Sequence, residues 1–168
     1  MITLEALNAL PVAEFVAALG GVFEHSPWIP ARAAMQRPFA SGAQLLEAMR
    51  AVVQAAPPAE QLTLIRAHPQ LGARGRARVG LTAASAREQH RAGLDLCTAA
   101  DWARLDQLNA AYFAKFDFPF ILAVRGHNPA SIIENFEARL GNDAARERQR
   151  ALQEIGLIAG YRLAELLG

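Results

Sequence analysis

One cysteine, one lysine and no long apolar run define what this 168-residue chain does without. With Cys97 alone, no intrachain disulfide can form, and a cysteine-based metal site has no second thiolate. Cys97 reads instead as a small buried apolar residue near a helix end. No apolar stretch reaches the roughly 18 to 20 residues that cross a membrane. The first residues lack the basic start and apolar core of a signal peptide, and Leu166-Leu167-Gly168 is not a Ser-Lys-Leu type address. The expectation is a cytoplasmic chain with no membrane partner. An excess of one charge is missing as well. The net charge is +1 and charged residues make up 20%, so nucleic acid is not an expected partner. Lys115 apart, the cations are arginines; Arg74, Arg76 and Arg78 cluster as a solvated loop or as an aid to attracting an anionic ligand. No two histidines lie three or four residues apart, so a helix-borne metal pair is absent and no metal is expected.

Strand signals are scarce, whereas helix signals recur. Pro11 suits a first helical turn, with Val12, Phe15, Val16 and Leu19 on one face and Gly20-Gly21 as the stop. Ser41 can cap a second helix, and a third runs from about Pro58 to near His68, because Pro69 pushes the residue before it out of helical geometry. Residues 70–82 hold three glycines and read as a loop. A fourth helix occupies roughly 83–97. Thr98, with Asp101 three residues on, caps a fifth helix bearing Trp102, Leu105, Leu108, Tyr112, Phe113 and Phe116. A sixth begins near Ser131 and closes at Gly141-Asn142, and the last starts at about Asp143. The expectation is an all-α, compact bundle of about seven to eight helices, one domain over residues 1–168.

Three segments break these patterns: Ala67 to Gly72, Ser85 to Gln89, and Phe118 to Gly126. Together they offer a histidine, a carboxylate, an amide, a hydroxyl and an apolar wall, which suits acid/base chemistry on a small polar molecule. His68 is the strongest single candidate, since imidazole exchanges protons near neutral pH. The structural alternative is a histidine that caps the last carbonyls of the third helix. His25, His90 and His127 have no such setting and read as surface or structural. Ser85 and Glu88 fit the capping-box pattern Ser-x-x-Glu, yet a helix N-terminus also receives anionic ligands. In the third segment Pro119 prevents regular helix. Its backbone groups then need partners from elsewhere, and a ligand rich in amide-like groups would provide them. Arg162 falls within the inward stripe Ile155, Ile158, Ala159, Leu163, Leu166, so it needs an anion or carbonyl partner: an internal carboxylate, or the carboxylate of a ligand.

The motifs, taken in order, resemble the OHCU decarboxylases, enzymes of urate degradation. They are Glu24-His25-Ser26-Pro27-Trp28, Arg37-Pro38-Phe39, His68-Pro69-x-Leu71, Ser85-x-x-Glu88-Gln89-x-x-x-Gly93-Leu94, Asn109-x-x-Tyr112-x-x-Lys115-Phe116-x-Phe118-Pro119-Phe120, Glu154-Ile155 and Arg162-Leu163. The resemblance covers nearly the whole chain. It departs at Asp117, where glycine is common, and at Leu71-Gly72-Ala73-Arg74, where relatives often carry Leu-Ala-Gly-Lys. It implies an all-helical homodimer acting on 2-oxo-4-hydroxy-4-carboxy-5-ureidoimidazoline without a cofactor. It implies also that His68 is the catalytic histidine and Glu88 the carboxylate beside it. Pro69, Ser85, Gln89, Phe120, Ile121, Leu122, Ala123, Val124 and Arg162 match substrate-binding positions. Two rival readings stand against it. One is a cofactor-free hydrolase or isomerase of a related ureide. The other is a non-enzymatic helical module, for which the Phe118 to Val124 run would be an exposed partner surface.

Overall fold

The structure, a computed structural model, describes residues 1–72 and 82–168. The Arg74, Arg76, Arg78 cluster, most of the 70–82 loop and part of the Leu71 to Arg74 departure lie outside the described residues. Among the described residues every regular element is helical. The all-α expectation therefore holds, with nine α-helices and two short 3-10 turns among the described residues. The chain divides into two units: Met1–Ala67 with Ile155–Gly168, and His68–Glu154.

The first unit holds α1 (Leu4–Ala9), α2 (Val12–Ala18), α3 (Trp28–Ala33), α4 (Gly42–Ala55) and α5 (Pro58–Arg66). It also takes the C-terminal part of α9 (Ala144–Leu167). Local chemistry sets its boundaries. The Ser41 hydroxyl accepts the Gln44 N–H at 3.1 Å, and Pro58 occupies the first turn of α5. α5 stops at Arg66, three residues before Pro69, as the proline requires. α3 packs on α2 and α4. Leu7, Phe15, Leu19, Ile29, Leu45, Met49, Leu64 and Ile65 are fully buried in this core. The short helices α1 and α3 are the elements that the periodicity did not reveal; six residues each are too few to show a helical stripe.

The second unit holds α6 (Ala83–Arg91), α7 (Ala99–Phe116), α8 (Pro129–Leu140) and the first part of α9. α7 packs against α8. Thr98 and Asp101 form the reciprocal capping box that their spacing predicts. α8 begins two residues before Ser131: Asn128 is its cap and Pro129 its first residue, with the Ser131 N–H given to the Asn128 side chain at 2.9 Å. α7 ends on Asp117 in the left-handed conformation, φ 59° and ψ 30°. Glycine adopts that geometry freely, and aspartate is among the few side chains that tolerate it. Cys97 is half-buried rather than buried. Tyr112, fully buried, is ringed by Phe116, Phe118, Phe120 and Phe136 at centroid separations of 4.7 to 6.0 Å.

Candidate active site

His68 opens the second unit, directly after the end of α5, and is 6% exposed. Pro69 beside it is half-buried. The chain then turns through Leu71 and Gly72, and two side chains of the same unit pin that turn. Gln89 of α6 accepts the Gly72 N–H on its Oε1 at 3.1 Å, and Asn109 of α7 donates to the Leu71 carbonyl at 3.0 Å. Gly72 sits at φ 72°, where a side chain would be strained. The structure thus brings the segment after His68 against α6, the helix that carries Ser85, Glu88 and Gln89. Gln89, expected to bind substrate, has a structural duty as well.

The N-terminus of α6 settles the capping question for Glu88. The cap is Thr82, whose Oγ1 accepts the Ser85 N–H at 3.2 Å. Ser85 is therefore the third helical residue, not the cap, and Glu88 lies one turn too far along to close a capping box. Ser85 is buried, with its hydroxyl accepting from Thr82 Oγ1 at 3.2 Å.

The segment between α7 and α8 is irregular and yet buried: Phe118, Phe120, Ile121, Leu122, Ala123 and Val124 are each at most 7% exposed. A partner-binding module would present this run to solvent, so its burial counts against that rival. Arg125 and Gly126 form an exposed turn, closed by the His127 N–H on the Val124 carbonyl at 3.0 Å. Charged side chains hold two further groups of this backbone. Arg139 Nη1 donates to the Ile121 carbonyl at 2.6 Å, and the Ala123 N–H donates to Glu154 Oε2 at 2.8 Å. No group among the described residues meets the N–H or the C=O of Leu122.

Behind Arg139 stands Glu147, wholly buried, which accepts from Arg139, from the Tyr112 hydroxyl and from Asn142 Nδ2 at 2.7 Å. Burial first, then the hydrogen bond to Glu147 and its negative charge, push the Tyr112 phenol well above the usual tyrosine range. The charges of this network were not read from sequence, but a signal for them exists. Arg139 lies on the stripe Ile132, Phe136, Arg139, and Glu147 and Glu154 lie on the stripe Glu147, Ala151, Glu154, Ile155. A charge on an apolar stripe is the anomaly that marks Arg162.

Arg162 belongs to the first unit, and there an internal carboxylate meets it. Its Nη1 lies 2.7 Å from Glu24 Oε2, with both side chains buried, and 3.3 Å from the Gly21 carbonyl. The exposed or half-buried settings of His25, His90 and His127 match their expected surface or structural roles.

A sequence model of the family described as OHCU decarboxylase matches residues 8–164. The chain is 40% identical over 164 residues to 2-oxo-4-hydroxy-4-carboxy-5-ureidoimidazoline decarboxylase of Haloferax volcanii, covering 98% of this chain and 95% of that one. The chain belongs to the OHCU decarboxylase family. The enzyme of the same name from Halalkalicoccus jeotgali is 41% identical over 165 residues, with 98% and 92% covered. Among solved structures, the crystal structure of (S)-allantoin synthase superposes with a TM-score of 0.81 at 28% identity. That match covers 99% of this chain and 54% of the other, so the chain spans about half of that protein.

Proposed function

We propose that this chain decarboxylates 2-oxo-4-hydroxy-4-carboxy-5-ureidoimidazoline to (S)-allantoin in urate degradation, without a cofactor. The observation that carries the reaction is near-full-length identity of about two residues in five with decarboxylases of that name. His68 acts as the acid/base group and Glu88 assists it. Glu88 adjoins Gln89, which ties down the turn after His68, and the N-terminal cap of its helix is Thr82.

The substrate supplies its own electron sink. When the bond to CO2 breaks, its electron pair joins the adjacent ring carbon, and the ring C=N takes up the displaced pair together with a proton. The resulting enol loses its hydroxyl proton and gains one at the ureido-bearing carbon, which becomes the stereocentre. One proton is consumed and one CO2 released overall. The enzyme's tasks are to orient the carboxylate and to move protons, for which a well-placed group contributes about a hundred- to ten-thousand-fold. Pro69, Ser85, Gln89 and the Phe120 to Val124 wall bind the substrate. The unpartnered N–H and C=O of Leu122 suit its amide-like edges. Arg162 is assigned to the substrate's anionic or carbonyl groups, a role that its Glu24 contact leaves for experiment. The same reading makes the enzyme a cytoplasmic homodimer, to be checked by fractionation and by light scattering.

The test generates the unstable substrate from urate with urate oxidase and hydroxyisourate hydrolase, then follows optically active allantoin by circular dichroism. A fast, enantioselective rise with CO2 release is expected. Faster consumption of the substrate to a product other than allantoin, without CO2, would favour the hydrolase or isomerase, and no acceleration over the spontaneous background would sink the enzyme reading.

A further inference from the structure

We propose that Arg139 and Glu154 are positioning residues that aim the N–H and C=O of Leu122 at the substrate. The inference rests on the reading above, in which the Phe120 to Val124 segment lines the substrate.

In a planar trans peptide the C=O and N–H point in opposite directions. The only cis peptide among the described residues is Arg37-Pro38, so the two peptides that flank Leu122 are trans. Arg139 holds the Ile121 carbonyl, and the other end of that same peptide is the Leu122 N–H. Glu154 holds the Ala123 N–H, and the other end of that peptide is the Leu122 carbonyl. One cation and one anion therefore turn both polar groups of Leu122 away from themselves. No described residue meets those groups, although Leu122 is 6% exposed.

The charges also polarise what they aim. A guanidinium on a carbonyl makes the far N–H of that peptide a stronger donor. A carboxylate on an N–H makes the far carbonyl a stronger acceptor. The result is a matched donor and acceptor on adjacent peptides, suited to an amide or ureide edge.

Neither holding residue can drift. Arg139 is 6% exposed, donates through Nε and Nη2 to Glu147, and lies 4.3 Å over the Phe120 ring. Glu154 is 2% exposed and takes Arg150 Nη2 at 2.6 Å. Well-packed apolar residues often stabilise a fold as well as buried ion pairs do. Stability alone is thus a weak reason for these charges, whereas fixing the orientation of two peptides requires them.

Glu154→Ala and Glu154→Gln separate positioning from bulk stability, because glutamine keeps an acceptor for the Ala123 N–H. Removing Glu154 leaves Arg150 with half of its side chain in solvent, so this site tolerates truncation better than Arg139 does. Both variants are assayed at a temperature where circular dichroism shows them folded, and amide hydrogen exchange of Ala123 is read by NMR. The expected result is a loss of kcat/KM on the order of a hundredfold in Glu154→Ala, as for a misplacement of about 1 Å. Ala123 protection should fall with it, and both should largely recover in Glu154→Gln. Arg139→Lys should lower kcat/KM in the same direction, since lysine lacks the fork that serves Ile121 and Glu147 together. Wild-type kcat/KM in folded Glu154→Ala, or equal losses in the alanine and glutamine variants, would overturn the proposal. A wild-type protein that releases no CO2 above the spontaneous background would instead defeat the reaction assignment, and Ala123 exchange would still decide whether Glu154 holds the peptide.

Discussion

Two stretches of the second unit carry the same signature, a hydroxyl residue followed three positions later by an acid, and only one of them uses it. At Thr98 the pattern closes: the Asp101 carboxylate accepts the Thr98 N–H at 2.9 Å and its hydroxyl at 2.7 Å, while Thr98 Oγ1 accepts the Asp101 N–H at 3.2 Å. At Ser85 it does not, because α6 has already begun at Ala83 under a Thr82 cap. The difference is one of register, not of residue type. A carboxylate three residues beyond a hydroxyl is a cap only if the hydroxyl is the last non-helical residue. Glu88 misses that condition by one turn.

The largest effect is expected at the group that Glu88 is assigned to assist. His68→Ala should cost about a hundred- to ten-thousand-fold in turnover, read by allantoin formation, with a melting curve close to wild type. Near-normal turnover would remove His68 from the mechanism. Next comes Glu88→Gln, expected to lower kcat clearly while leaving the melting temperature in place; the reverse would make Glu88 structural after all. Thr98→Ala should do the opposite and leave kcat/KM alone. It should destabilise by about 1 kcal/mol, which is about 2 to 4 °C in a chain of this size. The smallest effect is a pH dependence at Asp101. Hydrogen bonds from the Thr98 hydroxyl, and then from its N–H, hold that carboxyl below its usual range. A lowered value means that the stabilisation is complete above about pH 4 and is lost as the pH falls through the folded-state value. The melting-temperature gap between wild type and Asp101→Asn should therefore stay constant down to about pH 4 and close below it.

How far the sequence was legible follows the same line. Features set by neighbours in the chain could be read: the Ser41 cap, Pro58 in the first turn of α5, the end of α5 ahead of Pro69, and the Thr98 box. The anomaly at Arg162 pointed to a buried partner but not to its identity, since Glu24 lies 138 residues away. Arg139 and Glu147 were not read at all, and Glu154 was known only as part of a motif. Each meets a backbone group or side chain 18 to 35 residues distant, or belongs to a network that does. Periodicity reports which face is buried; it does not report what a buried charge will touch.

The phenol of Tyr112 has a practical consequence as an optical gauge. The chain has two tyrosines, and Tyr112 is fully enclosed, its hydroxyl given to Glu147. Its share of the tyrosinate absorbance should be missing from an alkaline scan of the native enzyme and emerge only as the second unit opens. Because the unfolded chain can ionise this group near pH 10 and the folded one cannot, alkali above that point favours opening. Ultraviolet absorbance alone would then time the loss of the aromatic cluster that backs Phe120, without a label, a ligand or a substrate.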